Sequence, residues 1–202
     1  MSELILYFFL AYLLGSIPTA YWAGKVLRGI DIRQHGSRNV GATNAYRVLG
    51  PRIGISVLVL DILKGFLAVK LGHWLGAPAW APVAAGLIAV AGHNWTVFLS
   101  FKGGKGVASS AGVFLALVPW AFAAAALSFV LVVATTRYVS AGSITGAIIL
   151  SLIVILEYAT GFGDDPQPFV VIVSCIASIF VIVRHHSNIR RLIQGTENRF
   201  SF

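Results

Sequence analysis

Long apolar runs recur along the chain, separated by short polar breaks. Five of them, 4–23, 53–75, 83–99, 139–158 and 169–183, approach the ~20 residues an α-helix needs to cross a ~30 Å hydrocarbon core. A sixth, 107–136, is too long for one straight span. Pro119 and Trp120 interrupt it, and proline removes a backbone donor, so the run is expected to form two short helices divided there. The pattern predicts an all-α polytopic membrane protein with seven transmembrane helices, built as a single integral-membrane domain over 1–202. Trp22, Trp74, Trp80, Trp95 and Trp120 fall at or near the predicted helix ends, where amphipathic rings sit among headgroups. Gly142 and Gly146 have the spacing of close helix packing, and no internal repeat is evident.

Composition agrees, with 57% hydrophobic and 11% charged residues. A net charge of +8 would suit nucleic acid, but the charges lie between apolar runs and in the C-terminal segment, so they report topology and no nucleic-acid partner is expected. With the N-terminus outside, the inner loops and tail collect Lys25, Arg28, Arg33, Arg38, Arg47, Arg52, Lys102, Lys105, Arg137, Arg184, Arg190, Arg191 and Arg199, thirteen of the fifteen basic residues. Lys64 lies within a span and Lys70 near the outer end of the second helix, while Glu3, Glu157, Asp164 and Asp165 fall outside. The positive-inside rule therefore favours seven helices with a cytoplasmic C-terminus; six would move "RHHSNIRRL" to the opposite face. No basic residue precedes the first apolar stretch, which reads as a retained helix rather than a cleaved signal. Cys175, the sole cysteine, lies in an apolar run, which excludes a disulfide framework and a metal-thiolate site.

Candidate chemistry concentrates in three polar segments on the predicted inner face: 35–47, "HGSRNVGATNAYR"; 92–108, "GHNWTVFLSFKGGKGVA"; and 184–197, "RHHSNIRRLIQGTE". In "KGGKG", Gly103, Gly104 and Gly106 would let backbone amides turn around an anion, Lys102 and Lys105 add charge, and a helix N-terminus follows from Val107. The stretch is no nucleotide P-loop, because the Gly-Lys-Ser/Thr ending and a preceding strand are missing. A tight turn carrying ordinary inner-face lysines fits the spacing equally well. Ser37, Asn39, Thr43 and Asn44 are uncharged groups suited to phosphate or hydroxyl oxygens, with Arg38 and Arg47 as cationic partners. The adjacent His185 and His186 are poorly spaced for one metal, and no metal or other cofactor is expected. His185 and Asn188, three apart, reach a common ligand from one helical turn, while Arg190 and Arg191 read as a basic tail touching anionic lipid. Asp61 and Lys64 lie three apart inside a span. They form a structural pair, or Lys64 contacts substrate. His93 reads as a satisfied, partly buried histidine.

These segments in this order, with "GSIP" at 15–18 and "DILKG" at 61–65, resemble the bacterial acyl-phosphate:glycerol-3-phosphate acyltransferase family, PlsY, over nearly the whole chain. Segment one resembles the family's Ser/Asn/Arg motif, segment two its glycine-lysine motif and segment three its His/Asn/Glu motif. The resemblance implies a bacterial inner-membrane enzyme with its site at the cytoplasmic face. It would acylate the 1-hydroxyl of glycerol 3-phosphate from acyl phosphate, giving lysophosphatidic acid and inorganic phosphate, the first acylation of phospholipid synthesis. Membrane lipid and the soluble enzyme that makes acyl phosphate would be its partners. Residue by residue, it carries catalytic or substrate-binding roles to Ser37, Asn39, Asn44, Arg47, Lys105, His185 and Asn188, with Gly103, Gly104 and Gly106 shaping the loop. Thr43, Lys64 and Lys102 join them as candidate substrate contacts, and Glu197 matches the pattern as a site residue or a tail anchor.

An acyl phosphate is a mixed anhydride with a stable anionic leaving group, so neither an acyl-enzyme nor a strongly activated nucleophile is required. Three rival readings fare worse. A small-anion transporter would need a polar midplane route and often internal repeats, and only Asp61 and Lys64 suggest such a route. A thioester-dependent acyltransferase would commonly carry His-x-x-x-x-Asp, and none of the five histidines is followed by Asp at that spacing. A purely structural membrane subunit leaves the three polar segments without a task.

Overall fold

The computed structural model describes residues 1–200, and every regular element among them is helical. Two compact units divide the chain, Met1–Ala116 and Leu117–Phe202. The first holds α1 (Ser2–Ser16), α2 (Thr19–Arg28), α3 (Ala42–Leu49), α4 (Pro51–Trp74), α5 (Trp80–Asn94) and nearly all of α6 (Val107–Leu117), with 3-10 turns at Ile32–Gln34 and Val97–Leu99. The second holds α7 (Pro119–Thr136), α8 (Val139–Thr160), α9 (Pro168–Arg184) and α10 (His186–Ile193).

Prolines set several of the boundaries. Pro51, Pro119 and Pro168 open α4, α7 and α9, where a missing N–H costs nothing because the first turn has no acceptor for it. The expected division of 107–136 at Pro119 is observed. The expected continuous helix over 4–23 is not, because Pro18 ends α1 at Ser16 and α2 leaves at 45°. The carbonyls exposed at this break are recruited by side chains: Thr96 Oγ1 donates to Ser16 O (2.5 Å) and Lys64 Nζ to Ile17 O (3.0 Å). The expected 83–99 span starts earlier, at Trp80, and its α-helical part ends at Asn94.

Among the described residues, Trp80–Leu99, Pro119–Thr136 and Val139–Thr160 are each long and apolar enough to cross a bilayer alone. Counting the bent pairs Ser2–Ser16 with Thr19–Arg28 and Pro168–Arg184 with His186–Ile193 as one span each raises the number to five. Helix α4, the longest single helix at 24 residues, carries Arg52, Asp61, Lys64 and Lys70. Large aliphatic side chains point outward, among them Leu58 and Leu60 on α4, Leu127 and Leu131 on α7, and Leu152 and Leu156 on α8, as expected of helices whose surroundings are lipid. All five tryptophans are exposed at or near helix ends.

Lipid tails are as apolar as leucine, so helices in a membrane associate through close contact of small residues and a few hydrogen bonds. In the first unit Ala11, Ala68, Ala81, Ala85 and Ala89 are buried together, and the buried Tyr7 hydroxyl donates to Ala68 O (2.6 Å). Helices α4 and α6 come closer still: a Cβ on Gly65 would strike the Ser109 carbonyl, and one on Gly112 the Ile62 carbonyl. In the second unit, Gly142 and Gly146 on α8 face Phe129 and Ala125 of α7, and Ser178 Oγ donates across to Ala147 O (2.5 Å). Gly112→Ala is therefore expected to lower stability by about 1–3 kcal/mol, read as a drop in Tm of the detergent-solubilised protein; unchanged melting would contradict the tight α4–α6 approach.

Candidate active site

The first polar segment is organised by one side chain. Asn44 is 1% exposed at the start of α3, and its amide joins four points of the preceding loop. Its Oδ1 accepts from Ser37 N (2.8 Å), and its Nδ2 donates to Asn39 O (2.9 Å), His35 O (3.1 Å) and Ile32 O (3.3 Å). Asn44 thus shapes the loop from within. Beneath it Ala20, Ile32, Val40, Ala45, Leu49 and Val57 form an apolar base. Ser37 and Arg38 stand exposed on this frame, Asn39 and Thr43 are half-buried, and Arg47 is exposed one turn beyond Asn44. Asp31 begins the loop's 3-10 turn and pairs with Arg33 at 2.7 Å, which holds its carboxyl at about 2.

In the second segment Gly103 and Gly104 build the tight turn that the spacing of "KGGKG" allows. The amides of Gly103 and Gly104 do not turn toward an anion: they donate to Asn94 O and His93 O, both at 3.0 Å, capping the last carbonyls of α5. The glycines are demanded by this seating. A Cβ on Gly103 would strike the His93 carbonyl, one on Gly104 would strike His93 Nε2, and Gly106 has a left-handed φ of 82°. Lys105 lies half-buried between the buried Gly104 and Gly106, two residues before α6, and Lys102 is exposed.

Lys64 is engaged within the protein. Its three ammonium protons have three acceptors: Asp61 Oδ1 (2.8 Å), His93 Nδ1 (2.8 Å) and Ile17 O (3.0 Å). Asp61 Oδ1 additionally accepts from Thr19 Oγ1 (2.6 Å). The structural pairing of Asp61 with Lys64 is thus observed, and His93 is the buried, satisfied histidine expected.

In the third segment His185 is buried where α9 and α10 meet at 57°, whereas His186 is exposed. His185 Nδ1 lies 2.7 Å from Val181 O. A carbonyl only accepts, so the neutral ring carries its proton on Nδ1 and its lone pair on Nε2. Asn188 is buried one turn on and donates through Nδ2 to Glu197 Oε1 (2.6 Å). Glu197 also accepts from Ser140 Oγ (2.9 Å) and Arg191 Nε (2.6 Å). Arg191, expected against lipid, is therefore an ion-pair partner, and Glu197 fastens the C-terminal segment to α8 and α10. Nothing in the sequence singles out Ser140, one serine at the edge of an apolar run. Burial works against the Glu197 charge, but the hydrogen bonds from Asn188, Arg191 and Ser140 outweigh it and hold the carboxyl below its ordinary range. Among the described residues no cluster of three or more His, Cys, Asp or Glu is placed to hold a metal.

The sequence profile of a family described as glycerol-3-phosphate acyltransferase matches residues 5–195. A glycerol-3-phosphate acyltransferase of Trichlorobacter lovleyi is 50% identical over 194 residues, 94% of each chain. That of Geobacter sulfurreducens is 46% identical over 201 residues, 99% of this chain and 98% of its own. The crystal structure of PlsY, an integral membrane glycerol 3-phosphate acyltransferase, in its glycerol 3-phosphate form superposes with a TM-score of 0.87 at 38% identity, covering 98% of this chain and 96% of that one. Its lysophosphatidic acid form superposes at 0.83, with 37% identity and the same coverage.

Glu197 gives the third segment a pH signature. A carboxyl whose pKa is depressed on folding stabilises fully above its unfolded value, near 4.5, and that contribution is lost as pH falls through the folded value. Glu197→Gln is expected to lower Tm at pH 7 and to flatten the further fall that the wild type shows below pH 4.5. A glutamine variant that melts like wild type at both ends of that window would contradict the anchor.

Proposed function

The chain belongs to the glycerol-3-phosphate acyltransferase family, and from that premise we propose that it transfers a fatty acyl group from acyl phosphate to the 1-hydroxyl of glycerol 3-phosphate. That it is an integral-membrane acyltransferase follows from its family; the donor, the product and the residue roles are our reading. The observation that carries it is the solved relative with a glycerol 3-phosphate form and a lysophosphatidic acid form, the acceptor and the product of this reaction.

In the proposed step the acceptor's 1-oxygen bonds to the acyl carbon, the bond from that carbon to the phosphate oxygen breaks, and inorganic phosphate departs with the hydroxyl proton. Lysophosphatidic acid remains. Because the leaving group is already a stable anion, the protein's task is to orient two anionic substrates and offset their charge. Arg47 and Lys105 neutralise the phosphates, aided by the exposed Lys102 and by the N-terminus of α6, which follows two residues after Lys105. Ser37, Asn39 and Thr43 present oxygen-binding groups on the loop that Asn44 holds. His185 Nε2 and Asn188 orient a substrate oxygen. We assign all of 1–202 to one acyltransferase domain. No cofactor enters this scheme.

We place the enzyme in the bacterial inner membrane with seven spans, N-terminus outside, and the three segments cytoplasmic. The two helical segments on either side of Pro18 count as one crossing, α4 to α9 as six more. Helix α6 has 11 residues, about 16 Å at 1.5 Å per residue, short of a ~30 Å core. "KGGKG" is accordingly recessed below the inner headgroups, where a lipid donor enters sideways. The soluble enzyme that makes acyl phosphate would supply the donor from this face.

Purified protein is expected to release phosphate from acyl phosphate only when glycerol 3-phosphate is present, and to be inert with acyl thioesters. Lys105→Gln and Arg47→Gln should each remove about 1.5–3 kcal/mol of charge-assisted binding, some 10- to 150-fold in kcat/KM. Near-wild-type turnover by both folded variants would defeat the assignment. Single cysteines at the exposed positions Ser37, Lys102 and His186, on a Cys175→Ser background, should resist an impermeant reagent in intact cells until the inner face is opened. Labelling at 186 from outside would overturn the topology.

A further inference from the structure

The half-buried Thr19 and the buried Asp61, Lys64 and His93 are polar side chains of the first unit that lie outside the proposed chemistry and form one connected line. It runs from Thr19 Oγ1 to Asp61 Oδ1 (2.6 Å), to Lys64 Nζ (2.8 Å), to His93 Nδ1 (2.8 Å). An ammonium has no lone pair, so the Lys64–His93 contact has one possible direction: Lys64 donates and Nδ1 accepts. The neutral His93 ring therefore carries its proton on Nε2, opposite in tautomer to His185. That Nε2 edge faces Gly104, where a Cβ would collide with it, and the His93 carbonyl takes the Gly104 amide at 3.0 Å. Asn94 adds the Gly103 amide at 3.0 Å and sets its side chain against Gly106. The line thus begins at the α1–α2 break and ends under the loop that carries Lys105.

We propose that His93 is a positioning residue for acyl transfer: held by Lys64, its ring and carbonyl fix the seating of Gly103 and Gly104 and so the aim of Lys105. This rests on the reading of Lys105 as a substrate-phosphate contact. The alternative of His93 as a base conflicts with the geometry, since the nitrogen that carries the lone pair faces a lysine ammonium. The loop needs such a support because three of its five residues are glycine, which leaves few side chains of its own to hold a shape. A lysine meant to meet a phosphate within a fraction of an ångström requires a rigid base beneath it.

The test uses the full-length protein in detergent, with phosphate release as the assay. His93→Leu should lower kcat/KM for glycerol 3-phosphate by about 10- to 100-fold, while His93→Asn, whose amide oxygen takes the place of Nδ1, stays within about fivefold of wild type. If His93 acts through Lys105, the losses do not multiply: in a Lys105→Gln background, His93→Leu should cost less than about threefold more. Full multiplication of the two losses, or a folded His93→Asn as impaired as His93→Leu, overturns the inference. Lys105→Gln at wild-type activity would instead sink the Lys105 reading itself. Should His93→Leu fail to fold, ¹⁵N-histidine NMR of the wild type decides. A neutral ring protonated on Nε2 supports the proposal, and one protonated on Nδ1 contradicts it.

Discussion

The Lys64 ammonium, one helical turn from Asp61 in the middle of α4, is the interaction on which the first unit's geometry depends. Moving a carboxylate and an ammonium out of water costs several kcal/mol per ion, so such a pair persists only where every donor is met. Here each ammonium proton has an acceptor, and the acceptors come from three places: the carboxylate on α4, the carbonyl of Ile17 at the α1–α2 break, and the ring of His93 on α5. One cation thereby ties together the interrupted first helix, the longest helix and the helix that leads into the glycine loop. Removing Asp61 would leave a buried charge uncompensated, a penalty larger than any one of the contacts contributes.

The same economy recurs in the loops. A membrane bundle gives a polar loop little hydrophobic reason to hold a shape, so each polar segment is held by groups with several hydrogen bonds. Asn44 does this for Ile32 to Asn39, and Glu197 does it for the segment after α10. In the second segment the carbonyls of His93 and Asn94 play the part. The residues proposed to meet substrate, the exposed Ser37 and Arg47 and the half-buried Lys105, are distinct from the residues that organise them. That division suits a reaction whose demands are orientation and charge.

Much of this was legible in sequence. Apolar runs and flanking tryptophans reported the helices, and Pro119 marked a break because a helix interior has no place for a residue without an N–H. Pro18 gives no such signal, for a physical reason: the apolar run continues on both sides, and membrane helices tolerate proline where neighbours satisfy the freed carbonyls, as Thr96 and Lys64 do here. The spacing of Asp61 and Lys64 revealed a pair, but the third acceptor lies on another helix, where no local pattern reaches. The glycine count of "KGGKG" revealed tight backbone, yet its amides serve α5, and only the fold shows which partner they take. Arg191 read as a lipid-facing charge because Glu197, six residues on, has no helical register to announce it.

The central claim is a division of labour between two lysines, Lys64 holding the scaffold and Lys105 meeting the substrate. Amine-reactive footprinting of the native enzyme, with and without glycerol 3-phosphate, tests it most directly. The account predicts that Lys105 is modified in the free enzyme and protected by glycerol 3-phosphate, while Lys64 is unreactive under both conditions. Modification of Lys64 that glycerol 3-phosphate suppresses, with Lys105 indifferent, would contradict it.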